Sequence, residues 1–188
     1  KNDKIKLKRR KIEILNEANS YTEEVRRAIN EKYGFKKLYS EGLSIRTPLD
    51  INFQTQAINS LREGIEAYDK RHGWRGSITN KLEDKNWKKK IKKIKLDPTL
   101  NWKIAEIFEV QEQGLSFETL KGAKEKIYLK NLKWALSGKK KINDEFELGD
   151  IIYVKKENGS WKLKQYPKVN GGIVVLNPFN GDVKALVG

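Results

Sequence analysis

Residues 151–163 read Ile-Ile-Tyr-Val-Lys-Lys-Glu-Asn-Gly-Ser-Trp-Lys-Leu, and this stretch decides how the middle of the chain folds. An apolar run from Ile151 to Val154 precedes the dipeptide Asn158-Gly159, and a shorter alternating run follows it. A type I′ turn needs a positive φ at both central positions, and Asn followed by Gly supplies this most readily. The stretch therefore predicts a β-hairpin that turns at Asn158-Gly159.

Alternating apolar residues, typical of strands with one buried face, continue on the N-terminal side of this hairpin. They lie within 102–111, at Leu115 and Phe117, at Ile127 and Leu129, and at Leu132, Trp134 and Leu136. About five short strands in one stretch favour a small closed antiparallel barrel, similar in size to an OB fold.

The first predicted helix begins near residue 20. Ser20 and Glu23 have the spacing of a capping box, in which each side chain bonds the backbone amide of the other residue. Gly34 is a suitable helix end, because glycine tolerates the left-handed conformation found there. We therefore expect a short helix between these positions.

The next segment predicts a strand and a longer helix. Alternation over residues 43–49 favours a short strand, which Pro48 would confine to an edge or a strand end. Asp50 can cap a helix over residues 53–68, whose apolar residues recur with the helical period. This is the strongest helical pattern in the chain.

A second hairpin is predicted at residues 172–187. Both of its strands are apolar on both faces, which is typical of a sheet covered on both sides. We find no other segment that could cover it, so we assign it to the start of a following domain. The sequence begins with Lys1 and contains no Met, so we expect it to be a piece of a longer protein.

These patterns predict an α+β fold, in which N-terminal linker helices pack beside a small OB-like antiparallel β-barrel and a β-hairpin of the next domain follows. The predicted boundaries are a basic linker over 1–19, a helical region over 20–76, an OB-like domain with the basic helix 85–95 over 77–168, and the first strands of the next domain over 169–188.

The positive charge is concentrated in two short segments. The formal net charge is +15, yet residues 1–11 and 85–95 together hold fourteen Lys and Arg and one acid. The rest of the chain is close to neutral. An OB fold could stack single-stranded nucleic acid on its aromatic residues, but the predicted barrel has no positively charged groove, so nucleic-acid binding is the least favoured function.

The segment 85–95 predicts a basic amphipathic helix. Trp87, Ile91 and Ile94 form one narrow apolar stripe, and lysines occupy the other faces. Such a helix can contact an anionic surface, either a membrane or a cell-wall polymer, or it can be an ordinary solvated helix face, which is the favoured interpretation. The candidate contact residues are Lys88, Lys89, Lys90, Lys92 and Lys93.

Composition excludes several kinds of reaction centre. Without Cys the chain has no thiol nucleophile, disulfide or Cys-ligated metal, and its single His makes a zinc site or a His-based triad very hard to build. No apolar run approaches the roughly 20 residues of a membrane helix. We predict no catalytic residue, no cofactor and no metal ligand.

Two short patterns deserve comparison with known chemistry. Ser137 and Lys140 have the S-x-x-K spacing of acyl-serine enzymes, but the pattern contains Gly138 and is short enough to arise by chance, so a surface turn is favoured. His72 lies between Arg71 and Arg75 and could act as a base or an anion clamp, although a structural turn is the favoured interpretation.

Several blocks of the sequence, in this order, resemble the linker of class A penicillin-binding proteins of the 1A type. The blocks are Tyr21–Arg27, Glu31–Gly34, Leu38–Leu43, Thr47–Asp50 and Tyr68–Gly76. Residues Gly172–Gly181 with Ala185–Gly188 resemble the strand pair that opens the transpeptidase domain of the same family. The departures are Pro48, where the family has a second Thr, and Trp74, where it has Tyr. Residues 77–168 match only in position and strand pattern, where the family inserts an OB-like domain.

The resemblance implies a bifunctional peptidoglycan synthase as the parent protein. Such a parent polymerises lipid II with a glycosyltransferase domain and cross-links stem peptides with a penicillin-sensitive transpeptidase domain. Its catalytic glutamates would precede Lys1 and its nucleophilic serine would follow Gly188, so this fragment would not be an enzyme.

The same resemblance implies a location and partners. The parent would be a single-pass protein on the periplasmic face of the inner membrane, anchored through a segment outside residues 1–188. The partners would be the neighbouring domains of the same chain, with a lipoprotein activator or peptidoglycan as further possibilities. The expected function is a non-catalytic spacer and docking segment, and the alternative is an anionic-surface interaction module.

Overall fold

The computed structural model describes residues 16–136, 138 and 141–188. The helices and strands, in chain order, are α1 (Asn19–Ser40), α2 (Ile51–Arg71), β1 (Thr79–Asn80), α3 (Trp87–Lys93), β2 (Lys103–Gln111), β3 (Gly114–Thr119), β4 (Lys124–Tyr128), β5 (Asp150–Glu157), β6 (Ser160–Lys164), β7 (Ile173–Leu176) and β8 (Val183–Val187). Of the described helices, none has both the length and the apolar composition needed to cross a bilayer.

The chain divides into two compact units. The first contains the described residues up to Glu63 together with Asn170–Gly188, and the second contains the described residues of Gly64–Val169. The second unit is therefore inserted, in sequence, between the two parts of the first. This mixture of helices and antiparallel sheets confirms the predicted α+β class.

The second unit is a small antiparallel barrel. Its strands lie in the order β1-β5-β2-β3-β4, and β6 pairs with the second half of β5. β4 lies alongside β6 without a hydrogen-bonded ladder between them, so the sheet curls almost onto itself. The fully buried side chains of its core include Ile107, Leu115, Phe117, Ile127, Leu132, Ile152, Val154 and Leu163.

The turn at the deciding hairpin has the predicted geometry. Asn158 and Gly159 have φ values of 49° and 75°, and they join β5 to β6. The strand predicted at Leu132–Leu136 is wrong, because the chain there forms short 3-10 turns at Leu129–Asn131 and Lys133–Ala135. These turns bring Leu132 and Ala135, three residues apart, into the same core.

Two predictions for the first unit are also wrong. The Ser20 hydroxyl donates to the Gly188 carbonyl, so the predicted capping box is absent from the start of α1. Gly34, the predicted helix end, has a φ of 82° and interrupts α1 there. Residues 42–50 are irregular, since no described strand lies beside them to complete a ladder. The predicted cap at Asp50 is confirmed, because its carboxylate accepts the backbone N–H groups of Asn52 and Phe53.

Residues in or next to the two helices line the second hairpin along the edge of β8, whereas the cover that we expected from a following domain concerned its two faces. The Gln54 side chain, which is fully buried, donates to the Leu186 carbonyl and accepts the Leu186 N–H, as a neighbouring strand would. The Asp50 N–H donates to the Lys184 carbonyl, and the Tyr21 hydroxyl donates to the Val183 carbonyl. The outer edge of β8 is therefore satisfied by helix residues.

Candidate functional site

The lysine-rich segment forms α3, which is shorter than the predicted helix over 85–95 but has the predicted orientation. Trp87, Ile91 and Ile94 are partly buried. All five candidate lysines are exposed, namely Lys88, Lys89, Lys90, Lys92 and Lys93. The segment therefore presents one continuous cationic surface, which we call the lysine surface.

Asp84 fixes α3 beside β1. Its carboxylate lies 2.7 Å from the Lys90 ammonium, and it accepts hydrogen bonds from the Asn86 N–H and the Thr79 hydroxyl. These three contacts, with Lys90 first, lower the pKa of Asp84 to about 2. Lys90 is therefore paired, whereas Lys88, Lys89, Lys92 and Lys93 have no ion pair among the described residues.

A buried carboxylate joins the entering and leaving segments of the barrel unit. Asp69, which is 4% exposed, forms a bidentate pair with the Arg75 guanidinium at 2.7 and 3.0 Å. It also accepts the Gln165 side-chain amide and the Lys168 N–H. Burial raises the pKa of Asp69, but the hydrogen bonds from Arg75 and Gln165 outweigh burial and lower it. We call this arrangement the Asp69 clamp.

A second buried charge lies close to the clamp. The Lys164 ammonium, in a residue only 3% exposed, contacts the carboxylates of Glu66 at 2.6 Å and Glu157 at 2.7 Å. Burial alone would lower the pKa of Lys164, but these two partners raise it. Burial would raise the pKa of Glu157, yet its lysine partners lower it to about 2. Both groups are therefore charged at neutral pH.

A pocket of about 210 Å³ opens between the clamp and the barrel. Its wall includes Tyr153 and Tyr166, which both pack against the buried ring of Trp102. Burial, with Tyr166 beside it, raises the pKa of Tyr153. The remaining wall residues are Trp74, Arg75, Gly76, Ser77, Ile78, Lys164, Gln165 and Lys168.

Of the two short patterns compared with known chemistry, the structure describes only the one at His72. His72 is exposed, and its Nδ1 lies 2.9 Å from the Tyr68 carbonyl, while the carboxylate of neighbouring Asp69 binds Arg75 instead. Ser137 and Lys140 lie outside the described residues. In the part of the chain that the structure describes, no three His, Asp or Glu side chains gather as metal ligands.

Sequence reasoning missed the Asp69 clamp and the pocket. Asp69 and Arg75 belong to one short block, Tyr68–Gly76, so their spacing gave a local indication of a pair. Gln165, Tyr166 and Lys168 are some ninety residues away in sequence, and only the closure of the barrel brings them beside that block.

Comparisons with known proteins match both units. The chain is 40% identical over 167 residues to penicillin-binding protein 1A of Rickettsia felis, covering 88% of this chain and 21% of that protein. It is 28% identical to penicillin-binding protein 1A of Escherichia coli, covering 94% of this chain and 22% of that protein. The chain thus spans about a fifth of the length of these relatives.

A solved structure and a family model agree with these relatives. The crystal structure of penicillin-binding protein 1A from Haemophilus influenzae matches with a TM-score of 0.67 and 26% identity, covering 91% of this chain and 26% of that one. Residues 74–169 match the family model of the penicillin-binding protein OB-like domain. The predicted resemblance is confirmed, and the chain belongs to the family of class A penicillin-binding proteins of the 1A type that carry this OB-like domain.

Proposed function

We propose that this chain is a non-catalytic spacer and docking segment of a bifunctional peptidoglycan synthase. The other parts of that protein would polymerise glycan strands from lipid II and cross-link stem peptides through a penicillin-sensitive acyl-serine. We place it on the periplasmic face of the inner membrane, anchored by a segment outside residues 1–188. Family membership and the one-fifth coverage of the relatives support this proposal.

The Asp69 clamp is the observation that carries the proposal. It ties the entering segment at Arg75 to the leaving segment at Gln165 and Lys168, so the inserted unit closes on its own contacts. The buried carboxylate is held ionised by these contacts, which suits a structural role and makes it a poor general acid at neutral pH. An insert built this way can separate or dock neighbouring domains without reacting.

The proposal is tested with the isolated 188-residue chain. We expect no covalent labelling by fluorescent penicillin and no polymerisation of lipid II, because the chain would contain neither catalytic centre. A penicillin-binding protein with its active serine serves as the positive control. Covalent labelling of this chain at Ser137 would contradict the proposal.

A second candidate function is adhesion to an anionic surface, which the exposure of the lysine surface favours. Four of its lysines have no ion pair among the described residues, and Trp87 and the two isoleucines beneath them are partly buried. Juxtamembrane lysines contribute about 1 kcal/mol each toward an anionic membrane, and the contribution falls with salt.

Co-sedimentation with vesicles containing anionic lipid tests this candidate. We expect binding at low salt that is lost at high salt, and lost when Lys88, Lys89, Lys92 and Lys93 are all replaced by Gln. The matched control replaces four other exposed lysines, Lys121, Lys124, Lys130 and Lys133, and removes the same charge. Absence of binding at low salt, or equal loss in both variants, would reject the lysine surface as the contact.

A further inference from the structure

The pocket of the barrel unit has a preformed aromatic wall. Trp102 is 8% exposed, and its ring lies 5.7 Å from that of Tyr153 and 6.3 Å, edge-on, from that of Tyr166. Tyr166 is 56% exposed, so its ring packs against Trp102 and still presents part of its surface to solvent. A held ring loses little side-chain entropy when a ligand packs on it. Such a surface suits the C–H face of a pyranose ring.

The same wall offers hydrogen-bonding groups for hydroxyls. Neither the Tyr153 nor the Tyr166 phenol oxygen has a hydrogen-bond partner among the described residues. A phenol both donates and accepts, as a sugar hydroxyl does. Aromatic rings with a few polar groups are the usual lining of a small-molecule site.

The charge of the wall favours a ligand with at most one negative group. The wall contains Arg75, Lys164 and Lys168 and no carboxylate side chain. Arg75 is neutralised by the Asp69 clamp, and Lys164 by its two glutamates. Lys168 is exposed and its ammonium has no ion pair in the described part of the chain. One unpaired cation can neutralise a single carboxylate, whereas a polyphosphate backbone needs several cations.

We propose that this pocket binds one carboxylate-bearing amino sugar, with the ring on Tyr166 and Tyr153 and the carboxylate at Lys168. Its volume of about 210 Å³ lies below the roughly 300–1,000 Å³ of ordinary ligand pockets, so it suits a single sugar residue. The source of the sugar, a muramic acid unit of peptidoglycan whose lactyl carboxylate is not joined to a stem peptide, rests on the proposed function. The OB-like insert would then hold glycan that lacks stem peptides, as well as separate its neighbours.

Titration of the 15N-labelled 188-residue chain with two sugars tests the pocket. The probes are N-acetylmuramic acid and N-acetylglucosamine, which differ by the lactyl carboxylate. We expect amide shifts at Tyr153, Tyr166 and Lys168 with both sugars. The acid should bind about two- to fivefold more tightly, as an exposed ion pair allows.

Variants of three exposed residues separate the role of the Lys168 charge from that of the Tyr166 ring. Lys168→Gln should abolish the preference for the acid and leave the affinity for the neutral sugar unchanged. Tyr166→Ala should weaken both sugars about fivefold or more, since stacking on an aromatic ring is lost. Tyr128→Ala, which removes a tyrosine of equal exposure on β4, should change neither affinity.

The proposal is overturned if neither sugar shifts the pocket amides, if the two sugars bind equally, or if Tyr128→Ala acts like Tyr166→Ala. The amide spectrum of each variant shows directly that it is folded. A negative titration would leave the spacer proposal standing, because that proposal fails only on labelling or polymerisation by the isolated chain.

Discussion

The barrel unit buries many large apolar side chains such as Phe117 and Ile107, whereas the residues that the first unit buries are, apart from Tyr21, small or polar, for example Ala57, Ala185 and Gln54. Large apolar residues of the first unit, among them Phe35 and Phe179, stay 70% and 95% exposed. The barrel is therefore stabilised mainly by apolar burial, and the first unit depends more on directional hydrogen bonds to the edge of β8.

The largest expected effect comes from emptying the barrel core. Phe117 is fully buried and packs edge-on against Trp161, with ring centroids 5.3 Å apart. Phe117→Ala should cost about 3–5 kcal/mol of the free energy of unfolding, measured by urea denaturation. Phe179→Ala, at an exposed ring, is the control and should cost almost nothing. Similar losses for the two variants would show that apolar burial does not distinguish the units.

Breaking the Asp69 clamp should have the next largest effect. Asp69→Asn leaves the Arg75 guanidinium without its bidentate partner, so we expect a loss of about 2–3 kcal/mol in the same urea experiment. The loss should be confined to the barrel unit, as judged by amide exchange at Gln165 and its neighbours. Unchanged stability would mean that the clamp does not hold the insert closed.

Removal of the Gln54 side-chain amide, which bonds the edge of β8, tests the first unit. Gln54→Ala removes hydrogen bonds to Leu186 and to the Glu17 carbonyl, with an expected loss of about 1–3 kcal/mol. Amide exchange at Leu186 should accelerate while exchange at Phe117 stays unchanged. Protection of Leu186 equal to that of the parent chain would contradict the role of Gln54 as an edge cap.

The smallest expected effect is a pH dependence of the barrel. A carboxylate whose pKa is lowered on folding stabilises the fold above its unfolded pKa, so the contribution of Glu157 is lost as pH falls toward about 2. Glu157→Gln should make the free energy of unfolding depend less on pH below about pH 4.5. The expected difference is about 1 kcal/mol, because the carboxylate is partly solvated. The test is urea denaturation between pH 7 and pH 2, and an equally steep profile in the variant would argue against this ion pair.

The sequence predicted elements whose determinants are local. Asn158-Gly159 fixed its own turn, and Asp50 capped α2 from one residue away. The 3-10 turns near Leu132 escaped prediction, because the spacing of a short apolar run fits a strand as well as a tight turn. Gln54, Gln165 and Tyr166 acquire their roles only through contacts with distant segments, which no periodicity encodes.

Mapping the site of penicillin attachment in the longer protein proposed above tests the non-catalytic role most directly. The protein is labelled with penicillin, digested, and the modified peptide is identified by mass spectrometry. We expect the adduct on a peptide outside residues 1–188, with labelling unchanged in Ser137→Ala. An adduct on Ser137, or loss of labelling in that variant, would contradict the account.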